Sequence, residues 1–161
     1  MKNFMRIFAL ILTVSLLLCG CSSEPEEFTC DELTMMVPGG MKDVSGGDAF
    51  KGFTFTLDSS KLAIFGLKES FADYDGISGL SLKDYAETVI MVNGLNATPM
   101  TRAGKDYMYF RYDTTIDGTS YSYLAATFKT DEAFWLVQLS SPTAKYDENA
   151  MFECLDSVRF N

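Results

Sequence analysis

Beyond residue 27, apolar and polar positions alternate in short runs divided by turn residues, the pattern of a sheet-rich domain. Residues 28–37 read as an opening strand bent at Asp31-Glu32 and stopped by Pro38-Gly39-Gly40. Residues 41–52 are loop-like. Residues 53–57 and 62–71 then form a hairpin pattern around Asp58-Ser59-Ser60-Lys61, and 72–79 follow as an acidic loop. The spacing next turns helical: Leu82, Tyr85, Ala86, Val89 and Ile90 make one apolar stripe, with Val92 extending it. Ser81 opens this helix, with Asp84 in capping-box position, and Asn93-Gly94 closes it.

The last third is the most regular. Residues 105–115, 119–128 and 133–139 read as three strands, joined by an Asp117-Gly118 hairpin turn and a loop over 129–132. Taken literally, these turns pair Tyr112 with Tyr123, Phe110 with Ala125, Ala125 with Leu136, and Ala126 with Trp135. One face then carries Met108, Phe110, Tyr112, Tyr123, Ala125, Phe134 and Leu136. The other carries Tyr107, Tyr109, Leu124, Ala126, Phe128, Trp135, Val137 and Leu139. Both faces are apolar, so the sheet must be covered on both sides. The covers available are the helix at 81–93 and a second at 145–157, where Ala150, Met151, Cys154, Leu155 and Val158 share a face. Residues 157–160 close the chain as a short strand. The predicted class is α+β, an antiparallel sheet covered by helices on both faces in an α/β/α sandwich.

The one long apolar run lies earlier. Lys2 and Arg6 precede an uncharged stretch, residues 7–18, of signal-peptide length and too short to span a bilayer. It ends in Leu18-Cys19-Gly20-Cys21, which resembles the lipobox of bacterial lipoproteins. That resemblance implies acylation of the Cys21 thiol, palmitate-type chains on the mature protein and cleavage before Cys21. Each buried CH₂ stabilises such an anchor by about 0.8 kcal/mol, so two or more chains hold a protein on a membrane. The expected organisation is a signal peptide (1–20), an acidic tether (21–27) and one domain (28–161). The expected location is the outer side of a bacterial membrane, in the cell envelope.

Charge and composition narrow the chemistry. The chain has 161 residues, with 13 Lys and Arg against 22 Asp and Glu, and a net charge of −9. Loss of Lys2 and Arg6 with the leader makes the mature chain more acidic still. Such a surface disfavours nucleic acid. No histidine is present, which removes the commonest general base and the usual catalytic triads. Once Cys19 is cleaved away and Cys21 acylated, Cys30 and Cys154 remain, either as a disulfide or as two separate thiols on a strand and a helix. Asp73-Tyr74-Asp75-Gly76 matches only the start of a calcium loop. Met35, Met91, Met108 and Met151 sit where core side chains belong, which disfavours a copper reading. No catalytic residue, metal site or cofactor is expected. Tyr107, Tyr109, Arg111, Tyr121 and Tyr123 crowd two adjacent strands and form the candidate interaction patch.

The order of elements is similar to the PsbP-like fold, shared by a photosystem II extrinsic subunit and many bacterial secreted or lipid-anchored proteins. The likeness rests on a strand ending in Val37-Pro38, the middle helix, the three-strand meander and a terminal helix ending in Leu155-Asp156-Ser157-Val158. It implies a non-enzymatic binding or assembly role with an unknown protein partner, and supplies no site residues. The alternative expectation is a small-ligand or cation-binding surface lipoprotein using acidic loops such as 73–75.

Overall fold

The computed structural model describes residues 24–161. The expected signal peptide, Cys19 and the acylated Cys21 lie outside the described residues. Two antiparallel sheets and two helices make up the domain. Strands β1 (Glu26–Cys30), β2 (Leu33–Val37) and β10 (Arg159–Phe160) form a small sheet in the order β1-β2-β10. The large sheet has the order β3-β4-β5-β9-β8-β7-β6, built from β3 (Lys42–Asp43), β4 (Phe55–Asp58), β5 (Ala63–Ser70), β6 (Met100–Thr101), β7 (Met108–Ile116), β8 (Thr119–Lys129) and β9 (Ala133–Pro142). The helices are α1 (Leu82–Val92) and α2 (Glu148–Asp156).

The opening strand is not bent but reversed. β1 and β2 form a hairpin with Cys30 opposite Leu33, turning through Asp31 at φ 49°. The sequence carries the signal in its phase: inward apolar positions run 28 and 30, then 33, 35 and 37, so the alternation slips at the turn. The strand also begins earlier than the expected tether boundary at 27. Glu26 pairs with Val37 in the ladder and Glu27 forms an ion pair with Arg159, which draws both residues into the small sheet.

The meander turns at Asp117-Gly118, both with positive φ, and pairs Tyr112 with Tyr123 and Phe110 with Ala125 as the turn dictates. The β8–β9 register differs from expectation by two residues: Ala125 faces Gln138 and Ala126 faces Val137. The loop is tighter than four residues because the Thr130 N–H donates to the Ala133 carbonyl, while Thr130 Oγ1 accepts from the Glu132 and Ala133 N–H groups. A shift of two keeps every side chain on its predicted face.

Helix α1 covers one of those faces. Tyr85, Val89 and Ile90 pack on Phe110, Ala125, Phe134 and Leu136, and the Tyr85 ring stacks on Phe134 at 4.1 Å. Both halves of the Ser81–Asp84 capping box are present. The stripe stops at Ile90: Val92 and Met91, expected inside, are instead exposed, Met91 at 73%. Met91 points off the packed face by its helical angle, whereas Val92, in phase with Tyr85 and Val89, lies beyond Ile90, the last buried residue of the helix. The opposite face holds the larger core, where β2 (Leu33, Met35, Val37) and α2 (Met151, Phe152, Cys154, Leu155) together meet Leu124, Trp135, Val137 and Leu139. The small sheet thus shares with α2 the cover expected of a helix. Glu32 fastens it there, accepting from Trp135 Nε1 at 2.9 Å and Lys68 Nζ at 2.6 Å.

Glu69, only 2% exposed, sits under α1 and accepts a hydrogen bond from the Tyr85 hydroxyl at 2.6 Å. Burial raises its pKa above the usual carboxylate value, against the pull of the Tyr85 bond. A raised folded-state pKa contributes stability that is full below the unfolded pKa and lost as pH rises through the folded one. Glu69→Gln is therefore expected to unfold at higher urea than the parent at about pH 8 and to gain nothing at about pH 4. Equal gains at both pH values would show that the carboxylate charge carries no cost.

Candidate functional surface between strand β7 and helix α2

Alternation along β7 sends Tyr109 and Arg111 toward α2, together with Tyr107 just before the strand. α2 starts where the Asp147 carboxylate accepts the Ala150 N–H at 3.1 Å, and it lays Phe152 against these side chains. Tyr109 meets Phe152 edge-on with ring centres 5.0 Å apart. The Arg102 guanidinium lies 3.8 Å from the Phe152 ring centre and that of Arg111 5.9 Å away, so two cations flank one aromatic.

Asp156, at the last turn of α2, ties the helix to the sheet. Arg102 Nε donates to both carboxylate oxygens at 3.0 Å, and the Tyr107 hydroxyl donates at 2.6 Å. Lys105 Nζ reaches the Asp156 carbonyl at 3.0 Å. Burial works against the Asp156 charge, yet the Arg102 and Tyr107 bonds outweigh it and hold its pKa below the usual value. The same contact acts oppositely on Tyr107, whose pKa is raised by burial first and by Asp156 next. Arg111 is ion-paired with Glu148. Tyr146 donates to Glu148, and burial followed by that carboxylate pushes its pKa up to about 12.

This arrangement positions groups and leaves them chemically quiet. Arg102 and Arg111 already have carboxylate partners, and burial and the neighbouring carboxylates keep Tyr107 and Tyr146 protonated at neutral pH. Cys30 and Cys154 are separate thiols, the second of the two arrangements the sequence left open. Burial raises the pKa of Cys30 and pushes that of Cys154 up to about 11, so neither carries much thiolate at neutral pH.

The five-residue patch expected from the sequence is divided by the sheet. Tyr107, Tyr109 and Arg111 face α2. Tyr121 and Tyr123 face the other way, because Tyr123 stands opposite Tyr112 and stacks on it at 4.6 Å. Tyr112 in turn donates to Gln138 Oε1 at 2.6 Å. Tyr121 lines a shallow cleft with Asp58, Lys61 and Ser140, where Asp58 Oδ1 is buried without a hydrogen-bond partner among the described residues. Sequence reading missed Arg102, Lys105, Phe152 and Asp156, and nothing local to any of them marks the cluster. Asp73 and Asp75 stand exposed on their turn, and among the described residues no three Cys, Asp or Glu side chains converge on a metal position.

A mixed antiparallel domain of two sheets and two helices is the class these observations define. Its fold is PsbP-like. The solution structure of cyanobacterial PsbP (CyanoP) from Synechocystis sp. PCC 6803 superimposes with a TM-score of 0.59 at 15% identity, covering 92% of this chain and 98% of that one. A crystal structure from Bacteroides thetaiotaomicron VPI-5482 matches with a TM-score of 0.59 at 13% identity over 84% of this chain, which corresponds to 48% of that protein's length. No family model matches the chain, and no curated protein sequence does. Likeness at this identity is one of fold.

Proposed function

We propose that this protein is a lipid-anchored, extracytoplasmic domain that acts without catalysis, by binding a protein partner at the cell envelope. The observation that carries the reading is the run from Lys2 to Cys21: a basic start, an uncharged apolar segment and a lipobox-like end. In this reading acyl chains on Cys21 attach the domain to the membrane. The acidic character of the mature chain and the in-chain pairing of Arg102 and Arg111 support a protein rather than a nucleic acid as partner. The β7–α2 surface, with Tyr109 and Arg111 at its rim, is the contact region this reading favours.

The test is crosslinking in the native membrane followed by mass spectrometry of what is captured with the full chain. One abundant partner is expected from the wild type, and its loss from Cys21→Ala, which should also move from the membrane to the soluble fraction. A Cys21→Ala chain that stays membrane-bound would overturn the anchor. Turnover of a substrate by the purified protein, abolished by a single side-chain substitution, would overturn the non-catalytic reading.

A further inference from the structure

Helix α1 covers only part of its face of the large sheet. The packed cluster beneath it ends at Ala125 on β8 and Leu136 on β9. Farther along the same face, the ladder sets Tyr123, Ser140, Ala63 and Asp58 side by side on β8, β9, β5 and β4. Residues directly opposite across neighbouring strands share a face, so an aromatic ring stands at one end of this row and a carboxylate at the other. Ser140 and Ala63 between them are small and make a low floor. Tyr121, two residues from Tyr123, borders the hollow, and the turn from Asp58 to Leu62 closes its far side. The cleft holds about 280 Å³ of empty space, part of it open to solvent. Pockets for whole drug-sized ligands run from about 300 to 1,000 Å³, so this one suits a single head group.

One polar group of the cleft is left unused. Asp58 Oδ1 is buried and has no hydrogen-bond partner among the described residues. A buried charged group without a partner is costly. Burial raises the Asp58 pKa above the usual carboxylate value, and the Ser59 N–H and the charge of Lys42 pull the other way without outweighing it. Lys42, Lys61 and Lys145 are exposed, and among the described residues none forms an ion pair with Asp58. On the rim the Ser60 carbonyl accepts from Lys145 Nζ at 3.4 Å, so the turn already presents an acceptor to an ammonium group. We propose that the cleft binds a primary alkylammonium group, with the cation at the Asp58 carboxylate and its first carbons against Tyr121 and Pro142, over the floor of Ser140 and Ala63. The carboxylate selects a cation over an anion, and the aromatic ring of Tyr121 favours the same charge. Free amines and lysyl side chains both carry this group.

The proposal is independent of the lipid anchor and of any protein partner. Titration of the isotope-labelled full chain in nonionic detergent micelles with n-butylammonium chloride tests it, read by amide chemical shifts. Saturable shifts at roughly millimolar concentration are expected at residues 58–63, 121 and 140, and none with n-butanol or sodium chloride. Nα-acetyl-lysine amide is titrated beside it, and the tighter of the two probes identifies a free amine or a lysyl side chain as the source. Asp58→Asn keeps the shape, removes the charge and is expected to weaken binding roughly tenfold. Tyr121→Leu is expected to weaken it about threefold. The double variant Asp73→Asn/Asp75→Asn removes two exposed charges from another loop and is expected to bind as the wild type does. An amide spectrum matching the wild type away from the substituted positions confirms that each variant is folded. Shifts that never saturate, an equal response to n-butanol, or a folded Asp58→Asn chain that binds as the wild type does would each overturn the proposal. So would an equal loss in Asp73→Asn/Asp75→Asn, which would show that the cation answers only to the overall negative charge.

Discussion

Gly66→Ala is expected to destabilise the domain by about 3 kcal/mol, the upper range for overfilling a packed interior. Gly66 lies in the middle of the large sheet, between Phe55 on β4 and Val137 on β9. A Cβ there would stand 2.0 Å from Phe55 Cε1 and 2.4 Å from its Cδ1 and Cζ. The ring cannot retreat cheaply. Phe55 is 1% exposed and packs against Phe28 with ring centres 4.8 Å apart, so moving it moves β1. Phe55→Leu in the Gly66→Ala background removes the colliding ring edge and should recover part of the loss. Urea unfolding of the parent, the single and the double variant measures this. A Gly66→Ala chain within about 0.5 kcal/mol of the parent, the range of ordinary surface changes, would show that the ring does not lie across the glycine.

Asp156→Ala is expected to cost a similar amount, about 3 kcal/mol, because one substitution strands both the Arg102 guanidinium and the Tyr107 hydroxyl. Arg102 would remain over Phe152 without its carboxylate, and the Tyr107 hydroxyl, on a side chain 4% exposed, would lose its acceptor. Tyr107→Phe removes a single donor from the same carboxylate and should cost about 1.5 kcal/mol, that of one hydrogen bond to a charged group. The pH dependence follows from the lowered pKa of Asp156. Its contribution is fully present above the unfolded carboxylate pKa and is lost as pH falls through the lower folded value. Hydrogen exchange locates the effect: in Asp156→Ala the amides of α2 should exchange faster relative to those of α1 than in the parent. Uniform acceleration of both helices would mean that Asp156 supports the whole domain rather than the seating of α2.

Much of the architecture is local and was therefore legible. The Ser81–Asp84 box, the Asp117-Gly118 turn and the division of the meander into two apolar faces all follow from residues within a few positions of each other. The candidate patch failed for a reason present in the same pattern: Tyr107 and Tyr109 have one parity relative to the hairpin turn and Tyr121 and Tyr123 the other. Counting tyrosines on adjacent strands overlooked that parity. Met91 was misplaced because apolar identity was read in place of helical angle, and Val92, in phase with Tyr85 and Val89, because the packed face ends at Ile90.

By itself the sequence determined where the two helices and the long strands of the meander run, that the long sheet is buried on both sides, and that a lipobox-like segment precedes an acidic domain. Those properties rest on periodicity, turn chemistry and composition, which act over a few residues. Only the tertiary structure decided that β10 pairs with β2, that the small sheet shares one face of the large sheet with α2, and that Glu32 reaches Trp135 across 103 positions. It also decided the meeting of Arg102 and Tyr107 with Asp156, 54 and 49 positions away. Contacts at that separation depend on which apolar faces close over each other, and no short window of sequence encodes that choice.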